Sequence, residues 1–247
     1  MKHTHFWMAI TSFFLLFLSL SSSVYSAPGQ GQPSAQQRAA MLKQWLKASQ
    51  AQIRKYEWVE TTVVSKDGDE KNRMQKHCYY DARGSLQKVL INQKKAESKH
   101  MPGLLPFGRM ANRALENKKE EVTDYMKSAV ALVKKYVPTR PDLIQRSINA
   151  GKLGMQMIVP NRHVRLTFGD YYKEGDKVSI DIELPTNRLM SIAVNSYLSS
   201  PDDAISLDVH MGLMPDGTIY AAKTNLHALS KGIKVAVDNS GHRLVAR

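Results

Sequence analysis

Cysteine is almost absent: Cys78 is the only one in 247 residues. A single thiol excludes an intramolecular disulfide, a cysteine metal cage and a CxxC redox pair. Cys78 shares strand parity with Met74 and Tyr80, which reads as a small buried hydrophobe rather than a reactive thiol. Catalytic signatures are missing too. There is no nucleophile elbow, Walker loop, HExxH or dinucleotide fingerprint. His77, His100, His163, His210, His227 and His242 are scattered, with no metal-like pair at helix or strand spacing. Asp208 and His210 share the outer face of one strand and read as a solvated polar pair. Asp181 and Glu183 read as the wet face of another, where two carboxylates make no glycosidase pair without a cleft to desolvate one. These absences point away from an enzyme and imply no cofactor and no metal. A hydrolase of unrecognised type is the minor alternative.

Acidic residues are also short. Lys and Arg number 35 against 22 Asp and Glu, a formal charge of +13. That excess favours anionic partners, a membrane surface among them. Nucleic acid is the weaker choice, since no recognition motif accompanies the charge.

The first long apolar run is a targeting signal. Lys2 leads it, Phe6 to Leu20 is nearly unbroken and uncharged, and Ser21 to Ala27 is rich in small residues. Val24 and Ser26 suit the −3 and −1 positions of a signal peptidase, so cleavage is expected after Ser26, with Ala27 as second choice. The run is short for a membrane span, and an uncleaved anchor is the alternative. The expected organisation is a signal peptide at 1–26, a flexible leader at 27–33 and one domain over 34–247, located in the periplasm or secreted.

What is present in abundance is alternation. Val178, Ile180, Ile182 and Leu184 fall on one face of a strand, and Ser179, Asp181 and Glu183 on the other. Ile205–Leu213 repeats the pattern. This period of two marks an antiparallel sheet with one apolar face. Strands are expected at 56–64, 74–80, 86–91, 155–159, 164–168, 178–184, 190–194, 205–213, 218–223 and 233–237, with turns at 66–69, 81–84 and 239–241 among others. Helical periodicity appears over 35–54, where Ser34 and Gln37 form a capping box, and over 111–137, ended by Pro138. A short helix follows from a Thr139/Asp142 capping pair to about Ala150, with Gly151 as its C-cap. The stretch from Asn92 to Arg109 breaks the pattern with a Lys cluster and an apolar loop containing Leu104, Leu105 and Phe107.

The fold class is therefore α+β: a strongly bent antiparallel sheet of about ten strands, an unclosed barrel, covered by an N-terminal helix and an inserted helix pair. Met155, Met157, Met190 and Met211 cluster in the β half. Thioethers adapt to irregular apolar shapes, and they also fill ordinary cores. With Leu104, Leu105 and Phe107 as plug, lid or membrane flap, they are the candidate ligand-binding residues.

Leu184–Ile192 (LPTNRLMSI), Leu213–Tyr220 (LMPDGTIY) and Ile233–Asn239 (IKVAVDN) together resemble a group of uncharacterised exported bacterial proteins. Their turn-and-strand logic is similar to that of the periplasmic carriers that sort outer-membrane lipoproteins. The resemblance covers roughly 160–240. It implies an unclosed antiparallel barrel with helices lining the hollow, and an acyl chain bound in the concavity. The first functional expectation is thus a non-enzymatic protein binding a lipid, an acyl chain or another apolar ligand under a helical lid, with a lipid or lipoprotein acyl chain as partner. The alternative is an envelope scaffold or protein-interaction module whose core is filled and takes no ligand.

Overall fold

The computed structural model describes residues 48–95, 107–137 and 139–245. The expected signal peptide, leader, first capping box, Leu104 and Leu105 lie outside them. Ten strands run in chain order: β1 Tyr56–Lys66, β2 Asp69–Tyr80, β3 Leu86–Lys95, β4 Leu153–Val159, β5 His163–Gly169, β6 Lys177–Glu183, β7 Arg188–Tyr197, β8 Ala204–Leu213, β9 Ile219–Ala228 and β10 Ile233–Leu244. Helices α1 (Phe107–Val133) and α2 (Pro141–Asn149) separate β3 from β4. Residues 48–53 are helical as well.

All ten strands form one antiparallel sheet in the order β3-β2-β1-β10-β9-β8-β7-β6-β5-β4. Two meanders join where β1 pairs with β10. Strands β3 and β4 are neighbours in the chain but sit at opposite edges, so the helical insertion leaves from one edge and returns at the other. The sheet is an unclosed barrel with an inner face towards the helices and an outer face away from them.

Register follows the side-chain period. One inner row reads Leu153–Phe168–Val178–Val194–Leu207–Leu226–Val235–Val64, apolar from β4 to β1. Three residues along each strand, the outer row reads Gln156–Arg165–Asp181–Ser191–His210–Lys223–Asp238–Thr61–Gln75–Asn92, polar at every position. A slip of one residue would exchange the two sets, so this pattern pins the pairing.

Several boundaries differ from the sequence expectation, each for a local reason. The β1–β2 hairpin is tighter, because Asp67 and Gly68 both take positive φ and leave Asp69 free to start β2. The expected turn at 239–241 is a bulge within β10: Gly241 has φ +65, and the register shifts opposite Trp58 while the strand runs on to Leu244. Strand β3 continues through Asn92 to Lys95, with Asn92, Gln93 and Lys94 exposed, as polar side chains on an edge strand can be. Helix α1 begins at Phe107, inside the expected loop, and ends at Val133 in a turn through Tyr136. The Thr139/Asp142 cap does not form. Arg140 is the N-cap residue, Pro141 occupies the first turn, and the Arg140 guanidinium holds Asp142 instead.

Candidate functional site on the inner face

Over β5–β10 the inner face is packed by the chain's own helices. Ala129, Val130, Leu132, Val133 and Tyr136 from the end of α1, with Leu143 and Ile144 of α2, share one core with Val178, Ile192, Val194, Ile205, Leu207 and Leu226. Tyr136 is 0% exposed and donates its hydroxyl to Asp176 Oδ2 at 2.6 Å, with Ser196 Oγ at 2.7 Å. Burial and the Asp176 carboxylate both push its phenol upward from the usual tyrosine value. Asp176 also accepts the backbone N–H of Lys173 at 2.8 Å and of Tyr172 at 3.1 Å. Helix α1 is thereby bolted to the β5–β6 turn. Tyr171 adds a second fastening, accepting the Arg140 N–H, and burial pushes its phenol up to about 12. Ser147 of α2 donates to the Gly169 carbonyl at 3.0 Å.

Further out the attachment of α1 is polar and wet. Tyr125 Oη donates to Asp203, which also accepts from Ser230 Oγ at 2.7 Å. The tyrosine hydroxyl, with Ser230 and Ser199 behind it, holds the Asp203 carboxyl below its ordinary range against a smaller effect of burial. Lys231 lies over the Tyr125 ring and within 3.9 Å of Glu121. Val122 and Met126 pack beside this latch, only partly buried.

The β1–β3 part of the inner face differs. Trp58, Cys78 and Leu86 form a separate small core with Tyr80 against it. Cys78 is fully buried, and desolvation pushes its thiol up to about 11, which fits the expected inert hydrophobe. Lys88 and Glu60 pair beside it, with 10% and 4% of their side chains exposed. Trp58 Nε1 donates to Asn239 Oδ1 at 3.0 Å, and the Trp58 ring stacks on His242, whose imidazole is held below its usual value by burial. Ser49 closes this end from residues 48–53, accepting the Ile219 N–H at 3.0 Å.

The sequence-selected residues are dispersed. Met155 and Met157 sit on β4, opposite Leu166 and Val164, and Met155 is 72% exposed. Together with Leu153 they carry the apolar inner face past the helix-packed region to an open edge. Met190 is the extra residue of a bulge between the Asp181–Ser191 and Ile182–Leu189 pairs, and Leu189 takes the core position beside it. Met211, on β8, packs partly buried against the main core. Strands β4 and β8 are four places apart, roughly 19 Å at ordinary strand spacing, so the methionines mark different parts of the face rather than one lining. Phe107 opens α1.

On the outer face, the expectation of a fully wet Asp181 is corrected. It is 5% exposed and accepts a two-pronged bond from Arg165 at 2.7 and 2.8 Å and one from Ser191 at 2.9 Å. Burial raises its carboxyl, but those donors outweigh it and hold the group below its ordinary value. Sequence alternation could not find this network, because it depends on which residues stand opposite one another across β5, β6 and β7. Among the described residues no group of three or more His, Cys, Asp or Glu side chains is placed to hold a metal ion. No helix among them is long and apolar enough to cross a membrane.

Among solved structures, the chain is similar to a DUF1329 family protein from Desulfovibrio piger ATCC 29098, at 8% identity over 82% of this chain and 92% of that one, with a TM-score of 0.32. It is also similar to a LolA superfamily protein from Nitrosomonas europaea, at 13% identity over 83% of this chain and 94% of that one, with a TM-score of 0.31. No protein-family model and no curated protein matches it.

Proposed function

We propose that this is an exported, non-enzymatic carrier that binds a lipid, an acyl chain or another apolar ligand on the inner face of its sheet, with α1 as the cover. The supporting observation is the inner row at the β4 edge. Leu153, Met155 and Met157 extend the apolar floor beyond the helices and remain exposed, although they belong to the same face as buried Phe168 and Val164. An acyl chain laid there removes apolar surface from water at about 25 cal/mol per Å². It reaches Met211 and the Met190 bulge only when α1 shifts, and Leu104, Leu105 and Phe107 are proposed to close over it. The +13 charge would favour docking at an anionic membrane, in the periplasm or outside the cell.

A second reading rests on the packed core of Ala129–Tyr136, Leu143 and Ile144. If those side chains stay in place, most of the floor is spoken for, and the protein serves as an envelope scaffold. Native mass spectrometry of protein purified from the periplasm separates the two. Co-purified lipid masses that vanish on delipidation, together with binding of a fluorescent fatty acid by the stripped protein, are the expected result. A bare mass and no uptake of the probe would select the scaffold.

A further inference from the structure

The two edges of the sheet are not alike. Strand β3 ends in Lys94 and Lys95, like charges of the kind that guard an open edge. Strand β4 has the sequence LGMQMIV, with no charged residue and no proline, and every position along it is exposed. Among the described residues, its hydrogen-bonding groups on the side away from β5 have no neighbouring strand. We propose that β4 is a self-association edge, where two copies of this chain pair antiparallel through Leu153–Met157 about a two-fold axis at Met155.

Three observations commit this edge to a second copy. First, the five residues from Leu153 to Met157 are regular, since the only register shift against β5 lies between Met157 and Val159. Second, the two-fold at Met155 sets Leu153 opposite the partner's Met157, and Met155 opposite its own counterpart. All of these belong to the apolar inner face, so two exposed apolar rims become one continuous floor. Third, the same register puts Gln156 opposite the partner's Gly154 on the outer face, where it sits beside the polar row through Arg165 and Asp181. Both faces therefore stay consistent across the junction, as required of a sheet with one apolar side. The contact is isologous and closes at two copies, whereas pairing β4 with the lysine-bearing β3 of another copy would propagate without end. Backbone groups lie in the plane of the sheet and side chains stand out of it, so this pairing leaves the inner face of β4 available.

The bodies that meet are strongly basic, and only the edge between them is uncharged. Salt screens the repulsion between the copies, so association strengthens as salt is raised. An acidic partner strand would show the opposite trend.

The test is sedimentation of the delipidated full chain over a range of concentration and salt. The expected result is a monomer–dimer equilibrium that shifts towards dimer with added salt and weakens by at least about tenfold in Met155→Lys, which sets two lysines opposite each other. Met155 is largely exposed, so this variant keeps its fold, and circular dichroism verifies that. Met155→Cys is expected to form a disulfide-linked dimer, because directly opposed residues in an antiparallel pair stand within bridging distance. Leu90→Cys, exposed on the β3 edge, is expected to stay single. A monomer at every concentration, a dimer that survives Met155→Lys, a dimer that salt dissociates, or equal cross-linking at Leu90 would each overturn the proposal. Mass is read without ligand, so these outcomes are independent of lipid binding.

Discussion

The inner face of the sheet has two parts built on different physics. Over β5–β10 it is apolar, and the chain covers it with its own helices, fastened by one buried tyrosine–aspartate pair. Over β1–β3 the same face carries Glu60, Lys76 and Lys88 among Trp58, Cys78 and Tyr80, and among the described residues its centre is an ion pair rather than a packed helix. The first part is stabilised by area removed from water and tolerates sliding. The second depends on two charges that must keep each other company. Within one continuous sheet, the region held to its helices by apolar packing is thus distinct from the region that fixes the fold by polar pairing.

The largest expected effect breaks the polar part. Lys88→Met leaves the Glu60 carboxylate buried without its partner, and a loss of about 3–5 kcal/mol is expected in urea denaturation. Replacing both, Glu60→Met with Lys88→Met, restores most of that loss, because two apolar side chains of similar length need no compensation. Cys78 gives a local readout from the same small core. Its labelling by a thiol reagent should be slow in the parent chain and fast in Lys88→Met. A loss below about 1 kcal/mol with Cys78 still shielded would mean that this part of the face is hydrated, and the contrast between the two regions would collapse.

Much of this division was legible in the amino-acid sequence, and the reason is period. Every strand was expected, although β2 begins five residues earlier and β9 and β10 run five and seven residues further, because alternation such as Val178–Ile182 is a local property that one strand reveals alone. Pairing is not local. Lys88 and Glu60 meet across the intervening β2, and Arg165 meets Asp181 only because β5 and β6 align in one register. The bulge at Gly241 looked like a turn because glycine in the left-handed region serves both, and only the continued pairing of β10 with β1 separates them. The methionines were selected for their place in the β half of the chain. Their spread from exposed Met155 to half-buried Met211 was set by strand order and by the Met190 bulge, neither of which leaves a trace in spacing.

A smaller effect tests the apolar part. Tyr136→Phe keeps the ring in the core and removes the hydroxyl that joins Asp176 to Ser196. A loss of about 1.5–3 kcal/mol is expected, in the range for a hydrogen bond to a charged group. Cys78 should remain as slow to label as in the parent chain, because its core is separate from that of Tyr136. Fluorescent fatty acid should bind the variant at least as fast, since α1 is then less firmly bolted. Equal destabilisation of both readouts would show that the two regions unfold as one unit.

The smallest effect is at the rim latch, and its sign follows from linkage. Asp203 has a lower pKa in the folded chain than in the unfolded one because Tyr125, Ser230 and Ser199 donate to it. A carboxyl depressed by folding contributes its full stability above the unfolded value of about 3.9, and that contribution is lost as pH falls through the lower folded value. The latch is largely solvated, so Asp203→Asn should cost no more than about 1 kcal/mol at neutral pH. The gap between parent and variant should narrow as pH drops below about 3.9 and stay constant above about 5. Urea midpoints measured across that range verify it. A gap that widened towards acid would mean that the carboxyl is not held by these donors, and that α1 is kept over the apolar face by its deep end alone.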